Sequence, residues 1–395
     1  MKKYNLRVSV GDKELRFTVE GRVDHVSVRD FGDTVALERR RYPHGKVVFD
    51  CADLEYISSA GLRVLLNLKK KEKNPVRLIN VSQSVNETLD VTGFTRLLEV
   101  FKTPRDISGE EVQKMGYSGN ITVYRMGDDT LLKVYSDGTS LDAIEQERKY
   151  AHAAFLSGVP TLIAYDIVTY KGQYGMLYEL VKATTVASLM EGAPWKMEQY
   201  AVEMGKLLKT IHTARPEPGS LPKTSAVYEA WAYRMGSWLY SQEIEKLCRL
   251  IHTIPEGDTI VYGNFHARNV FIQHNEPLLI NMAGISCGNP IYDLGTIYMT
   301  HMAELEQLAQ HSSLKAAQEK KFWDVMIRAY FGTSDNNFIA KQEEIIQAAA
   351  LLRSALSPAA NRMTGSEAEP FIAQARRDLF PAADYVAVLL SAARV

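Results

Sequence analysis

The stretch of sequence that decides the fold of the larger part of this chain is IVYGNFHARNVFI, residues 260–272. Two further segments follow it, LLIN at 278–281 and GNPIYDL at 288–294. The first two segments lie in a loop-rich stretch, whereas the sequence beyond Thr185 is otherwise mainly helical in pattern. Their central polar positions are amides: Asn264, Asn269 and Asn281. A cleft built from these segments would therefore be polar and nearly uncharged.

The sequence before Thr185 is rich in strand patterns. Alternating and short apolar runs predict four strands, at residues 122–125, 131–135, 161–167 and 174–181. A helical period from Leu141 to Ser157 separates the second of these strands from the third. A strand-rich lobe followed by a larger helical lobe is the order of elements in a kinase-like fold.

The segment 259–294 resembles the aminoglycoside and choline phosphotransferase family. That family carries His-Gly-Asp, four residues and Asn in its catalytic loop, then a strand ending in Asp, then Gly-Asp-Pro and Tyr-Asp-Leu. The similarity extends over residues 112–395 and implies an α+β, bilobal protein-kinase-like fold. Its N-lobe is expected at 116–182 and its helical C-lobe at 183–395. Asp293 is expected to cap the following helix and to steady the catalytic loop.

The resemblance also implies a nucleotide site. Lys133 matches the strand lysine that binds nucleotide phosphates, and Glu147 matches its ion-pair partner. The other expected contacts are the hinge backbone and a glycine-containing loop: Glu179, Val181, Gly116 and Gly119. ATP or another nucleotide is therefore the expected ligand. A different small molecule and an empty structural pocket are the alternatives.

The catalytic loop and the strand that follows it depart from the family pattern at three positions. Asn264 stands in place of the aspartate that orients the nucleophile, Asn281 in place of the metal-binding aspartate, and Tyr262 in place of the histidine; Asn269 matches. An amide cannot accept a proton at neutral pH and brings no negative charge to a hard cation. Because loss of a positioned base alone costs about 10²–10⁴-fold in rate, we expect a pseudokinase. The lack of these carboxylates speaks against Mg²⁺ as a cofactor; if any metal binds, Asn269 and Asn281 are the expected ligands.

The first hundred residues alternate strands with helices, which predicts an α/β domain. Apolar patterns indicate a hairpin of residues 6–10 and 15–19, a helix at 26–41 and a buried strand at 47–49. They also indicate a second buried strand at 76–79 and a last helix at 83–89. A further helix begins near Ser59. The polar segment 103–114, which contains proline and glycine, is interpreted as a linker, with bounds of 104–115.

The most informative segment of this domain is DCADLEYISSAGL, residues 50–62, which predicts a strand end, a polar loop and a helix that opens on two hydroxyls. Together with Gly21-Arg22-Val23-Asp24 it resembles the STAS domain of anti-sigma factor antagonists, covering residues 1–103. The serine that this family phosphorylates matches Ser59, although Ser58 stands where many members have aspartate. A phosphate would be received well there, because helix N-termini favour negative charge. A plain N-cap is the alternative role of Ser59.

Composition limits the possible partners and the compartment. The 395 residues carry 46 Lys plus Arg against 47 Asp plus Glu, which argues against nucleic acid and anionic membranes as partners. The basic clusters Arg39–Arg41 and Lys69–Lys71 fit the solvated faces of helices. Three cysteines at spacings of no metal motif, Cys51, Cys248 and Cys287, predict reduced thiols. With no secretory signal and no spanning apolar run, a cytoplasmic location is expected.

The leading hypothesis is a signalling protein in which a catalytically disabled kinase-like domain is coupled to a STAS switch through Ser59. The STAS resemblance implies protein partners, either an anti-sigma-factor-like protein or a serine kinase. One alternative is an active ATP-dependent phosphotransferase with an atypical site, using His266 as base or Glu179 as metal ligand. A third hypothesis, disfavoured by the missing base, is that the kinase-like domain phosphorylates its own Ser59.

Overall fold

The computed structural model describes residues 4–11, 14–118, 121–136, 138–162, 164–180, 183–273 and 276–393. The chain divides into two compact units. One consists of Met1–Gly109 with Val168–Gly172, and the other of Glu110–Ile167 with Gln173–Val395. In the described part of the chain, no helix combines the length and the apolar character needed to cross a membrane.

The first unit is built on a five-stranded sheet. Its elements are β1 (Asn5–Val10), β2 (Glu14–Val23), α1 (Val28–Arg41), β3 (Lys46–Ile57), α2 (Ser59–Lys71), β4 (Arg77–Val81), α3 (Gln83–Val91) and β5 (Glu99–Lys102). The strands lie in the order β1-β2-β3-β4-β5, with β1 antiparallel to β2 and the other pairs parallel. Burial alternates strictly along β2, so one face of this strand lies in the core. Phe17 of β2 and Phe49 of β3 stack there with ring centroids 5.0 Å apart.

Two predictions for this unit differ from the structure. The polar loop expected after Phe49 is strand, because β3 continues to Ile57 by pairing with residues 20–23 of β2 across two register shifts. The expected linker 104–115 contains the short strand β6 (Arg105–Asp106), which pairs with Val168 and Thr169. Two-residue strands depend on such distant partners, so a local sequence pattern does not reveal them.

Gly61 allows α2 to start close against the sheet. A Cβ atom at this position would lie 2.8 Å from Ile57 Cγ1 and 2.8 Å from Val23 Cγ1, closer than real contacts allow. We expect Gly61→Val to lower the free energy of unfolding by about 1–3 kcal/mol through overpacking. Urea unfolding measures this, with Gly109→Val as control, since nothing lies within 4 Å of a Cβ at Gly109. Equal losses in the two variants would contradict the packing argument.

The strand-rich lobe of the second unit comes first in the chain. Its elements are β7 (Val112–Ser118), β8 (Ile121–Met126), β9 (Thr130–Tyr135), α4 (Leu141–Leu156), β10 (Ala164–Tyr170), whose residues 168–170 belong to the first unit, and β11 (Gln173–Glu179). These strands are ordered β10-β11-β9-β8-β7, and β9 is antiparallel to both β8 and β11. The third predicted strand begins later than expected, at Ala164, because Thr161 makes only an isolated bridge to Leu279.

The helical lobe completes the second unit. Its helices are α5 (Val186–Gly192), α6 (Met197–Thr213), α7 (Thr224–Arg234), α8 (Ser241–Thr253), α9 (Ile291–His311), α10 (Ser313–Phe331), α11 (Asn336–Ala355), α12 (Ser357–Ala360), α13 (Glu369–Gln374) and α14 (Ala383–Ser391). Its strands are β12 (Thr184–Thr185), β13 (Thr259–Val261), β14 (Val270–Gln273), β15 (Glu276–Leu279) and β16 (Ser286–Gly288). They form two small sheets, β12-β14-β15 and β13-β16, which hold the loop of residues 262–269 between β13 and β14.

Candidate functional site

The predicted ion pair of the nucleotide site, Lys133 with Glu147, lies in the strand-rich lobe. Lys133 lies on β9 and Glu147 on α4, whose N-terminus is capped by Ser140 accepting from the Ala143 N–H at 3.2 Å. Lys133 Nζ donates to Glu147 Oε1 at 2.5 Å, and the two side chains are only 10% and 7% exposed. The Lys–Glu ion pair that phosphoryl transfer requires in kinases is therefore formed.

Two tyrosines complete this cluster. Tyr135 donates its hydroxyl to Glu147 Oε2 at 2.9 Å, so that both carboxylate oxygens are used. Burial, with the neighbouring Tyr178 and the Glu147 charge, raises the pKa of Tyr135 well above its usual range. Burial and Glu147 likewise raise the pKa of Tyr178, and both phenols stay protonated. Lys133 Nζ also lies 4.9 Å from the Tyr135 ring centroid. The ammonium group is therefore held by both the Glu147 carboxylate and the Tyr135 ring.

Asp293, which is fully buried on α9, holds the start of the loop 262–269 by hydrogen bonds. Its Oδ2 accepts from the Tyr262 N–H at 2.6 Å, and its Oδ1 from the Gly263 N–H at 2.6 Å. Oδ2 also accepts from His212 Nε2 at 3.0 Å. Asp293 therefore steadies the loop, as expected. The prediction that it caps the helix is wrong, because Pro290 occupies the N-cap and Asp293 points to the loop.

Gly263 makes the sharp turn at the start of this loop possible. Its φ is +82°, a left-handed conformation that favours glycine, and a Cβ there would lie 2.6 Å from the Gly284 carbonyl oxygen. Tyr262 donates its hydroxyl to the Ile280 carbonyl oxygen. The residue that replaces the expected histidine thus ties the loop to the end of β15.

The amides expected at the catalytic positions lie on these connected segments. Asn264 is exposed on the loop, and Asn269 Nδ2 donates to the Asn264 carbonyl oxygen at 3.0 Å. Asn281 is partly buried just after β15, with φ of 70° and ψ of 77°. No group of three or more His, Cys, Asp or Glu side chains that could hold a metal ion occurs among the residues described.

Two of the other predicted nucleotide contacts, Gly116 and Glu179, lie in strands of the strand-rich lobe. Gly116 lies within strand β7, beside a register shift, rather than in a loop. Glu179 ends β11, is exposed and pairs with Thr130 of β9. Gly119 and Val181 lie outside the described residues.

His266 was the alternative base, and its surroundings argue against that role. Burial, and secondarily the Arg268 charge, lower the pKa of His266, so the imidazole is neutral near pH 7. Its Nδ1 accepts from the Arg268 N–H at 3.2 Å, which places the proton of the neutral ring on Nε2. The nitrogen that could take a proton from a substrate is therefore already engaged.

A cavity of about 670 Å³ beside the loop was not predicted from the sequence. Loop residues 265–268 line one side, and Pro194 with helices α5, α6, α9 and α10 supplies the rest. The lining positions on α9 are 297, 300, 301, 304 and 308, and those on α10 are 315, 318, 319, 322, 323 and 326. Both sets follow the period of one helical face, and both mix charged with apolar residues. The charged residues on these two helical faces were the signal in the sequence that could have indicated the cavity.

In the first unit, Ser58 and Ser59 have separate environments. Ser58 is the N-cap of α2, and its side chain accepts from the Gly61 N–H at 3.3 Å. Ser59 is the first helical residue and is exposed. The cap role considered for Ser59 thus belongs to Ser58, and the Ser59 hydroxyl is accessible.

This division of roles predicts effects of different size for two alanine substitutions. We expect Ser58→Ala to lower the free energy of unfolding by about 1 kcal/mol, because a helix N–H loses its acceptor. Ser59→Ala should change it by less than about 0.5 kcal/mol, as at other exposed positions. Urea unfolding of the two variants side by side makes the comparison, and a larger loss at Ser59 would reverse the assignment.

Comparison with known families agrees with this architecture. Residues 5–107 match the model of the STAS domain, and residues 116–324 match that of the phosphotransferase enzyme family. Because the second match covers more than half of the chain, the protein belongs to the phosphotransferase enzyme family, with a STAS domain at its N-terminus. Among curated proteins, none matches the chain.

Several solved structures are similar in outline. The amicoumacin kinase hAmiN, in complex with AMP-PNP, Ca²⁺ and Ami, is 14% identical with a TM-score of 0.48, covering 70% of this chain and 89% of that one. The gentamicin complex of APH(2")-IIa is 12% identical with a TM-score of 0.45, covering 68% and 92%. A choline/ethanolamine kinase family protein from Mesorhizobium loti is 12% identical with a TM-score of 0.43, covering 78% and 98%. The family assignment rests on the sequence models and not on these similarities.

Proposed function

We propose that this protein is a regulator whose kinase-fold domain binds a ligand without efficient phosphoryl transfer and whose STAS domain acts on a protein partner through Ser59. The observation that carries this proposal is a contrast within the kinase-fold domain. The buried Lys133–Glu147 ion pair is formed, whereas Asn264 and Asn281 occupy the positions of the family's two aspartates.

The ion pair supports retention of a nucleotide site. Burying a lysine and a glutamate is costly, and such a pair often contributes little net stability compared with apolar residues. Here the pair is held by Tyr135 as well, in the arrangement that presents lysine to nucleotide phosphates. ATP or a related nucleotide is therefore the proposed ligand of this site, bound without a requirement for Mg²⁺.

The surroundings of Ser59 support the switch role. A phosphate on Ser59 would add about -1.5 to -2 charges at an exposed helix N-terminus, where backbone N–H groups and the helix dipole receive it. The fold needs no rearrangement, because Ser58 already provides the cap. The proposed partners are an anti-sigma-factor-like protein, which would sense this charge, and a separate serine kinase, which would add it.

A nucleotide-binding measurement tests the proposal. We expect ATP to bind the full chain and to raise its melting temperature equally with and without Mg²⁺, with no steady release of phosphate. The double variant Lys133→Met/Glu147→Gln removes both buried charges together, so that it should fold but lose this shift. Lys341→Ala, at an exposed position of α11, is the matched control and should keep the shift.

Two results would count against this function. Absence of any nucleotide effect on the melting temperature would remove nucleotide as the ligand. Mg²⁺-dependent turnover of ATP at an ordinary kinase rate would favour the active phosphotransferase instead. Mass spectrometry at Ser59 after incubation with ATP alone tests self-phosphorylation, which we expect to be absent.

A further inference from the structure

The N-terminal part of the chain has an excess of positive charge that the composition of the whole chain conceals. Residues 1–109 carry 20 Lys plus Arg against 15 Asp plus Glu, whereas residues 110–395 carry 26 against 32. The near-zero balance of the full chain therefore averages over two segments of opposite sign. Charge asymmetry of this kind is typical of a chain whose basic part meets an anionic partner.

The topology of the five-stranded sheet brings four connections to one end of its strands. β1 is antiparallel to β2, and β3, β4 and β5 run parallel to β2. The β1–β2 hairpin and the connections α1–β3, α2–β4 and α3–β5 all lead into the amino ends of these parallel strands. We call the surface formed by Val10 and residues 37–46, 69–77 and 90–99 the basic end of the sheet. Ser59 follows the carboxyl end of β3 and therefore lies at the opposite end.

A largely buried ion pair fixes two of these connections against each other. Arg39, in the last turn of α1, donates to the two carboxylate oxygens of Glu72 at 2.6 and 2.7 Å. The same guanidinium donates to the carbonyl oxygens of Tyr42 at 2.7 Å and Gly45 at 2.9 Å. The last turns of α1 and α2 each carry three basic residues. Because the ion pair joins the two helix ends, it brings their basic residues close together.

Most of the lysines and arginines in the α1–β3 and α2–β4 connections lack a carboxylate partner. Glu38 pairs with Arg41 at 2.8 Å, and Glu14, which lies opposite Lys46 in the sheet, accepts from Arg16 at 2.8 Å. Within the residues that the structure describes, those of the two connections without a salt bridge are Arg40, Lys46, Lys69, Lys70, Lys71 and Lys73. All of these except Lys69 are exposed. Like charges gathered in this way repel one another, and an anionic surface relieves the repulsion.

The α3–β5 connection adds apolar surface rather than charge. Glu99 pairs with Arg77 at 2.7 Å, and Asp90 and Arg96 contribute one charge of each sign. Val91, at the end of α3, is 90% exposed. A large apolar side chain in water thus lies beside the cations.

Other apolar side chains are exposed at the basic end as well. They are Val10, Leu37, Tyr42 and Leu97. A nucleic acid or an acidic peptide would neutralise the cations but would leave these side chains in water. An anionic bilayer receives both kinds of residue, because its headgroups attract lysine and arginine while its interface accepts apolar and tyrosine side chains.

We propose that the basic end of the STAS domain docks on the surface of an anionic lipid bilayer. The unpaired lysines and arginines contact the headgroups, and Val91 and Tyr42 enter the interface between headgroups and acyl chains. Ser59 lies at the other end of the sheet, so docking leaves its hydroxyl accessible to a protein partner. The proposal goes beyond the proposed function and does not depend on nucleotide binding.

Sedimentation of the full chain with lipid vesicles tests this proposal. We expect binding to vesicles of phosphatidylcholine containing one-third phosphatidylglycerol, and at least about tenfold weaker binding to pure phosphatidylcholine, since each cation near an anionic surface adds to the affinity. Raising the salt concentration should weaken binding to the anionic vesicles, because it screens these charges. Duplex DNA or polyglutamate, at an equal concentration of negative charge, should not displace the chain from the anionic vesicles.

Two double variants locate the charges that bind the bilayer. Lys70→Gln/Lys71→Gln removes two exposed charges of the basic end and should weaken binding to the anionic vesicles at least about tenfold. Arg63→Gln/Lys102→Gln is the matched control, because it removes two exposed charges near the carboxyl ends of the strands. The control should bind the vesicles as the unmodified chain does.

A second pair of variants tests the apolar contribution. Val91→Ser should weaken binding to the anionic vesicles about threefold or more, because less apolar surface leaves water. Val26→Ser changes a valine that is 76% exposed and precedes α1, away from the basic end, and should leave binding unchanged. Both valines are exposed, so neither substitution should disturb the fold.

Several results would overturn the proposal. They are absence of vesicle binding, equal binding to neutral and anionic vesicles, and equal losses in the two double variants. Displacement from the vesicles by DNA or by polyglutamate would refute the bilayer as the partner and assign the basic end to a nucleic acid or to an acidic protein instead.

Discussion

Changing Asn264 and Asn281 together to aspartate is expected to raise Mg²⁺-dependent ATP hydrolysis at least about 100-fold over the unmodified chain. One substitution restores a base that can orient the attacking oxygen, and a positioned base contributes about 10²–10⁴-fold. The other restores a carboxylate ligand for Mg²⁺, which the phosphates need for neutralisation of developing charge. The two effects act on one reaction, so their factors should not simply multiply.

The rest of the site is already arranged for this gain. The Lys133–Glu147 pair is formed, and Asp293 fixes the loop 262–269 through two backbone N–H groups. Neither substitution changes the shape of its side chain appreciably, so the fold should be kept. Two other departures from the family pattern remain in the variant, Tyr262 in place of histidine and Asn289 in place of the Gly-Asp-Pro aspartate.

Phosphate release with and without Mg²⁺ measures the outcome, using both single variants for comparison. Asn337→Asp, at an exposed position near the start of α11, is the matched control for the added charge. A double variant as slow as this control would show that features other than the two missing carboxylates prevent turnover.

The largest stability effect is expected at Asp293. Replacement by alanine should lower the free energy of unfolding by about 3–5 kcal/mol, in the range observed when one partner of a buried ionic network is removed. The carboxylate accepts from Tyr262 N–H, Gly263 N–H and His212 Nε2 in a fully buried position. Alanine would leave all three donors without an acceptor and without access to water.

Denaturant unfolding followed by fluorescence tests this expectation. The control is Asp258→Ala, which removes an exposed ion pair with Arg215 at 3.5 Å and should cost less than about 1 kcal/mol. If both variants lose the same small amount, Asp293 is not the anchor of the loop. Loss of the ATP effect in Asp293→Ala alone would be consistent with an anchor, because the loop would no longer be held.

The sequence predicted those parts of the protein that depend on short, contiguous patterns. The family relationship rests on residues 259–294 and the place of Ser59 at the start of a helix on residues 50–62, where strand, turn and helix signals follow one another. The pairing of Lys133 with Glu147 was also predicted, because both residues match positions of the phosphotransferase family's pattern. Each of these features depends on residues that lie close together in the sequence.

The cavity and the short strand β6 were not accessible in this way. The cavity wall comes from four helices and a loop spread over residues 187–326, and only tertiary packing brings them together. The position of the aspartate in the family's Gly-Asp-Pro motif shows that distant contacts also limit what the sequence can predict. Asn289 takes its place, and its amide donates to the carbonyl oxygens of Pro255 at 3.1 Å and Ala393 at 2.9 Å. An aspartate could not make these two donations, and one acceptor lies more than a hundred residues away.

The left-handed backbone at Asn281 restricts which residues this position accepts. With φ of 70°, side chains other than glycine, asparagine and aspartate are strained there. Aspartate and asparagine codons differ by a single base, so a lineage can exchange one for the other at this position without disturbing the chain. Under the proposed function, forms of this domain with and without a metal-binding carboxylate at position 281 are thus separated by one base change, and the exchange is possible in both directions.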